Sequence, residues 1–193
     1  MRLLYLHGFR SSPDSDKAQA VAQYCVKHKL LPPIIPQLPI SPLESIQLCE
    51  QLIAEQKISA VCGSSLGGFY ALYLAEKYGL RCGLINPAIT PWVDLEREDN
   101  QRQYRIDELD QTSNSHYVDQ LKPYFTPKLT HPKNVMVLIG TEDEVLNPQQ
   151  MITHLAGTEQ IIVAGADHSM SDFGGHLDEL MRFLSHKPPI RRH

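Results

Sequence analysis

The sequence predicts an α/β domain, a doubly wound, mostly parallel six-stranded sheet with a helical cap inserted late in the chain. Three observations carry that expectation. Short apolar runs alternate with segments of helical periodicity along the 193 residues, the pattern of repeated βα units. One run leads straight into Cys62-Gly63-Ser64-Ser65-Leu66-Gly67-Gly68 and then a helix-forming stretch, Phe69 to Tyr78. A Gly-x-Ser-x-Gly pattern between a strand and a helix is the setting in which a serine is held on a sharp turn. The remaining segments rich in polar chemistry all follow predicted strands, where the loops of a doubly wound sheet bind and react.

The elements follow in order. Leu3-Leu4-Tyr5-Leu6 is a short buried strand, and His7 to Ser15 its loop. Asp16 to about Lys29 places Ala18, Val21, Ala22 and Cys25 at helical spacing. Pro33 to Pro36 is expected as a second strand near a sheet edge, because its prolines lack donors. Ser41-Pro42-Leu43-Glu44 supplies the N-cap, N1 and N3 residue types of a helix running to about Gln56. Ile58 to Cys62 is the third strand, and the helix after the serine turn stops at Gly79. Cys82 to Ile85 is the fourth, ending at Asn86-Pro87. From Ala88 to about Pro132 periodicity weakens and charges gather, the composition of a cap over a site, with one or two short helices expected between Asp107 and Phe125. Val135 to Ile139, a helix from Pro148 to Leu155, Gln160 to Val163 and a closing helix from His176 to Ser185 complete the series. Right-handed crossovers put the helices on both faces.

The bulk properties narrow the function. The length suits one domain, residues 1–193, with a full core. Apolar content of 42% and charge of 21% describe an ordinary water-soluble globule. A net charge of −4 and a pI near 6.1 offer no basic field to nucleic acid or anionic lipid. Only Lys187 to His193 is locally basic, and its proline pair marks a frayed terminus. No apolar stretch approaches the roughly 20 residues of a membrane span. Met1 leads within two residues into the first strand, which leaves no room for a signal peptide. Cys25, Cys49, Cys62 and Cys82 lack Cys-x-x-Cys spacing and sit in apolar segments. They read as buried thiols of a reducing compartment, and the expected location is the cytoplasm.

The candidate chemistry centres on Ser65. The residues two before and two after it must be small for the turn to close, and Gly63 and Gly67 meet that need; Ser64, the rival hydroxyl, would have Cys62 at minus two. Asp143 in Gly140-Thr141-Glu142-Asp143-Glu144-Val145 and His168 in Gly165-Ala166-Asp167-His168 follow the last two strands. Ser65, Asp143 and His168 thus stand in the nucleophile–acid–base order of α/β-hydrolases. A serine hydroxyl needs an imidazole to take its proton, and the imidazole needs a carboxylate to fix its tautomer. The backbone N–H groups of Phe9 and Leu66 are the expected oxyanion donors. His7, Gly8, Arg10 and Ser64 are candidate substrate-binding residues, with His7 also read as a tie for its own loop. Glu142 and Glu144 compete with Asp143 for the carboxylate role. Asp167 adjoins His168 too closely in sequence to face it, and His176 is the nearest substitute base. No His or Cys cluster has metal-ligand spacing, so no metal or other cofactor is expected.

With these residues laid out, the chain resembles the small YqiA-like esterase family of α/β-hydrolases. The resemblance rests on Leu4-Tyr5-Leu6-His7-Gly8-Phe9-x-Ser11-Ser12-Pro13, Ile35-Pro36-Gln37-Leu38-Pro39, Gly63-Ser64-Ser65-Leu66-Gly67-Gly68, Asn86-Pro87-Ala88, Gly140-Thr141-x-Asp143-Glu144-Val145-Leu146 and Gly165-x-x-His168. It spans essentially the whole chain, least so the Ala88 to Lys133 insertion. It implies a minimal six-stranded hydrolase core and hydrolysis of small-molecule esters of short acyl groups, with an acyl-CoA thioesterase as the alternative of the same chemistry. It assigns Ser65, Asp143 and His168 the roles given above. Ser169-Met170 departs from the Ala-Phe expected after the histidine. A non-catalytic binding protein on the same fold is the alternative of another class.

Overall fold

The computed structural model describes residues 1–95 and 117–186. The charged run 96–99, most of the expected helical excursion beginning at 107, and the basic tail lie outside the described residues. Among the described residues the sheet has five strands, all parallel, in the order β1 (Leu3–Leu6), β2 (Ala60–Ser64), β3 (Arg81–Ile85), β4 (Val135–Gly140) and β5 (Glu159–Val163). The expected strand at Pro33 to Pro36 is reduced to one parallel bridge between Ile34 and Leu4. Ile34 donates its N–H to Leu3 O at 2.8 Å and accepts that of Tyr5 at 2.9 Å. The ladder goes no further because Pro32 and Pro36, the next residues in line to either side, have no N–H to give.

Among the described residues the sheet is flanked by α1 (Asp16–Lys27), α2 (Pro42–Gln56), α3 (Leu66–Tyr78), α4 (Pro148–His154) and α5 (Leu177–Ser185). One buried apolar cluster joins α2, α3 and α4 to the sheet through residues such as Ile46, Leu74, Val137 and Met151. A second joins α1 and α5 to the opposite face through Val21, Tyr5, Leu138 and Leu180. Both faces of β1, β2 and β4 are therefore covered, which is why these strands read as continuous apolar runs. The helix signals operate as expected: the Ser41 hydroxyl accepts the Glu44 N–H at 3.3 Å, and Gly79 ends α3 in the left-handed region at φ 67°. No helix among the described residues is long and apolar enough to cross a membrane.

The junction of β2 and α3 is the tightest place in the fold. Ser65 between them has φ 55° and ψ −123°, a conformation few side-chain-bearing residues adopt. A Cβ at Gly63 would collide with the Gly67 carbonyl, and one at Gly67 with the carbonyl oxygens of Leu6 and His7. At Gly68 it would come within 2.8 Å of the Pro87 Cβ. The helix start is thus pressed against the ends of β1 and β3. Gly67→Ala should cost roughly 1–3 kcal/mol or more, since its obstacles are backbone atoms that cannot rotate away. Urea denaturation of the variant against wild type measures this.

All four cysteines are free and buried, as their apolar surroundings led one to expect. Burial pushes the Cys49 and Cys62 thiols up to about 12 and raises Cys25 and Cys82 as well. A raised thiol loses its nucleophilic thiolate near neutral pH. Ellman's reagent should therefore leave the native protein almost unmodified while titrating all four thiols in denaturant. One fast-reacting thiol in the native state would contradict this.

Candidate active site

The loops beyond the carboxyl ends of the strands carry the predicted residues. Beyond β1, the His7 ring is used structurally: Nε2 accepts the Leu38 N–H at 3.1 Å, and Nδ1 donates to Gly8 O at 3.0 Å. This ties the β1 loop to the segment before α2. Gly8 lies directly over the serine turn, where a Cβ would sit 3.3 Å from the Ser65 Cβ. Leu66 is the first residue of α3, so its N–H has no acceptor within the helix and lies at the positive end of the helix dipole.

Beyond β4, Asp143 turns inward. Its side chain is fully buried, and its Oδ1 accepts the N–H groups of Val145 at 2.9 Å and Leu146 at 2.7 Å. The same carboxylate faces the ring of His168, whose Nδ1 lies 2.8 Å from Oδ2 and 3.0 Å from Oδ1. Glu142 points to solvent. Glu144 has a different partner, the backbone N–H of His168, which donates to its Oε2 at 3.0 Å. Asp167 faces away from the ring and caps its own loop, accepting the Ser171 N–H at 3.1 Å and hydroxyl at 2.8 Å. The bond from the Ser171 hydroxyl holds the Asp167 carboxyl below its ordinary value. His176 sits at the start of α5 with Asp172 at 3.6 Å.

The segment after β3 connects these parts, a role the sequence motif Asn86-Pro87-Ala88 did not disclose. Ile85 O accepts the Ser65 N–H at 3.1 Å, and the Ala88 N–H donates back to Ser65 O at 3.1 Å. Between them, the Asn86 side chain donates to the carbonyls of Asp167 at 2.9 Å and His168 at 3.1 Å. Ser65 and His168 are therefore both fastened to one short stretch of chain.

Among the described residues, a smaller and a larger cavity flank the serine turn. The smaller, about 60 Å³, is bounded by Ser65, Phe9, Ala88, Val145 and Leu146. The larger, about 640 Å³, lies on the other side of Phe9 and Leu66, between the His7–Ser11 loop and residues 37–40. Its walls are mainly apolar, with Tyr70 and Tyr117 at one end and Ile40 at the rim. The Tyr70 and Tyr117 hydroxyls are hydrogen-bonded to each other, and burial pushes Tyr117 up to about 12. Of the four candidate binding residues, His7, Gly8 and Arg10 border the large cavity, with the Arg10 guanidinium 5.3 Å from the Phe9 ring centre. Ser64 does not: it is the last residue of β2, buried in the sheet beside Ile85. No group of three His, Cys, Asp or Glu side chains among the described residues could hold a metal ion.

Solved structures share this architecture. Est1E from Butyrivibrio proteoclasticus, with ferulic acid bound, superposes with a TM-score of 0.70 at 14% identity, over 94% of this chain and 88% of that one. The esterase domain of a Rhodothermus marinus protein gives 0.69 at 15% identity, over 93% and 84%. Mouse alpha/beta hydrolase domain-containing protein 10 gives 0.65 at 16%, over 95% and 90%. At such identities the likeness establishes the fold, that of the α/β-hydrolases. Residues 2–185 match a sequence family, and the chain belongs to it: the Uncharacterised protein family (UPF0227).

Proposed function

We propose that the protein is a serine hydrolase that cleaves carboxylic esters of short acyl groups through an acyl-enzyme on Ser65. The observation that carries this reading is the strained Ser65 conformation joined, through residues 85–88, to a histidine paired with a buried carboxylate. Strain of this kind persists only where the surroundings enforce it, and it lifts the serine side chain out of the strand-to-helix turn. The esterases among the similar solved structures support the same chemistry.

In the first half-reaction His168 takes the Ser65 proton as Oγ attacks the ester carbonyl carbon. Asp143 holds the ring with Nδ1–H toward itself, which leaves Nε2 as the base and offsets the imidazolium charge. The carbonyl oxygen gains negative charge, and the Phe9 and Leu66 N–H groups are its donors; one such donor is worth about 3 kcal/mol. As the C–O bond to the alcohol breaks, the imidazolium returns its proton to the leaving oxygen. Water then repeats the sequence on the acyl-enzyme, releasing the acid and restoring Ser65. No cofactor enters this scheme.

The sizes of the two cavities support a short acyl group on a larger apolar alcohol. The pocket of about 60 Å³ beside Ser65 takes the acyl group and limits its length. The cavity of about 640 Å³, within the range of small-molecule sites, takes the apolar leaving group.

Active-site labelling tests the nucleophile. A fluorophosphonate should label wild type and fail on Ser65→Ala, whereas labelling that survives the substitution moves the nucleophile elsewhere. No labelling of either protein would favour a binding function. Ser65→Ala and His168→Ala should each lower kcat by about 10⁴-fold or more, and Asp143→Asn by about 10⁴-fold. An ester panel tests the cavities. Lengthening the acyl chain from acetyl to octanoyl on one alcohol should lower kcat/KM. Val145→Ala should shift the optimum toward longer acyl groups. Matching acyl-CoA substrates separate ester from thioester preference.

A further inference from the structure

We infer that Asn86 is a positioning residue for His168, seconded by Lys17, and that the pair sets where the imidazole stands relative to Ser65. The inference rests on the serine-hydrolase reading above and deepens it. Three consecutive carbonyls, those of Asp167, His168 and Ser169, are each taken by a side-chain donor from a distant part of the chain. Asn86 Nδ2 serves the first two, at 2.9 and 3.1 Å, and Lys17 Nζ serves the third at 2.7 Å. The loop itself makes few regular backbone bonds: Met170 N–H to Asp167 O, at 3.1 Å, closes its turn with Met170 at φ 50°. The placement of His168 therefore depends on donors outside the loop.

Asn86 is suited to this in three ways. It is completely buried, so its amide exchanges no bonds with water. Its Oδ1 accepts the Gly140 N–H at 2.8 Å, which anchors the amide to the end of β4, just before the Asp143 turn. Its own backbone sits at φ 40°, a left-handed conformation that asparagine tolerates better than most residues. One side chain thus joins the end of β4 to the histidine loop, while its neighbours Ile85 and Ala88 hold Ser65. The bonds to the ring come from Asp143, while the backbone beneath it is held at its carbonyls by Asn86 and Lys17 and at the His168 N–H by Glu144. An error of about 1 Å in a reacting group can cost on the order of 100-fold in rate.

Asn86→Asp isolates the amide donor. The shape and the acceptor for Gly140 persist, but an oxygen then faces the two carbonyls in place of the NH₂. The readouts are kcat and KM on a reactive ester, and the downfield proton resonance of the His168 Nδ1–H bonded to Asp143. The expected result is a loss of about 100-fold in kcat with KM little changed, and a broadened or missing resonance. In a His168→Ala background the same substitution should cost nothing further, because Asn86 acts through the imidazole. Lys17→Met, in the first turn of α1, should give a smaller loss of the same kind; it decides the matter if Asn86→Asp does not fold. Wild-type kcat and resonance in the variant that folds would overturn the inference. So would a lost kcat with the resonance intact, or an undiminished loss in the His168→Ala background. The resonance does not depend on Ser65. If labelling persists in Ser65→Ala, the hydrolase reading falls while the resonance still judges Asn86.

Discussion

The close approach of the α3 N-terminus to the ends of β1 and β3 governs the rest of the molecule. Gly63, Gly67 and Gly68 have almost no room for a side chain, and the obstacles are the backbone at Leu6, His7 and Gly67 and the Pro87 ring. With those contacts in place, the residue between strand and helix has no relaxed conformation left to it, and Ser65 carries the strain. The same contacts bring the β1 loop over the serine and the Asn86-Pro87-Ala88 segment beneath it. The large apolar faces of the sheet contribute most of the stability. They do so without demanding one arrangement at the strand ends, and the glycine contacts supply that demand.

A division of labour follows between apolar and polar interactions. Burial against α2, α3 and α4 on one face, and α1 and α5 on the other, holds the sheet. Directional bonds are concentrated at its carboxyl edge, where His7, Asn86, Asp143, Glu144 and Lys17 each join two distant segments of the chain. A buried polar group with its bonds unmade costs about 1–3 kcal/mol, so such ties are lost at a price that fluctuations rarely meet. The loops are thereby held to one geometry although they contain little regular structure.

Much of this was legible in the residues. The strands β1 to β4 announce themselves as apolar runs, and α2 and α3 through Ser41 and Gly79, because burial and capping are local demands that leave local marks. The segment at Pro33 to Pro36 carries strand-like side chains but forms only one bridge. Ile34 and Ile35 have the side chains of a strand, but pairing needs successive donors, and the prolines withhold them. In the site, Asp143 could be ordered after Ser65 and before His168, yet nothing local separates it from Glu142 and Glu144. Only the turn, which aims Asp143 Oδ1 at the Val145 and Leu146 N–H groups, makes the difference. Asn86 was visible as part of a motif without a meaning, since its partners lie 54 to 82 positions away. Ser64 adjoins Ser65 in sequence, yet as the last residue of β2 it is buried in the sheet.

The single bridge at Ile34 has a consequence for how the molecule meets its own kind. The β1 side of the sheet would otherwise present a straight row of open peptide groups, an invitation to another chain. Ile34 occupies that margin for one residue, and of the two residues beside it Pro33 has no hydrogen to offer a visitor. The segment extends the sheet by one residue and leaves few donors along its margin, which disfavours growth by strand addition on this flank. The same residues lead on to Gln37 and Leu38, at the wall of the large cavity. A device against aggregation and a wall of the candidate site thus occupy one short piece of chain.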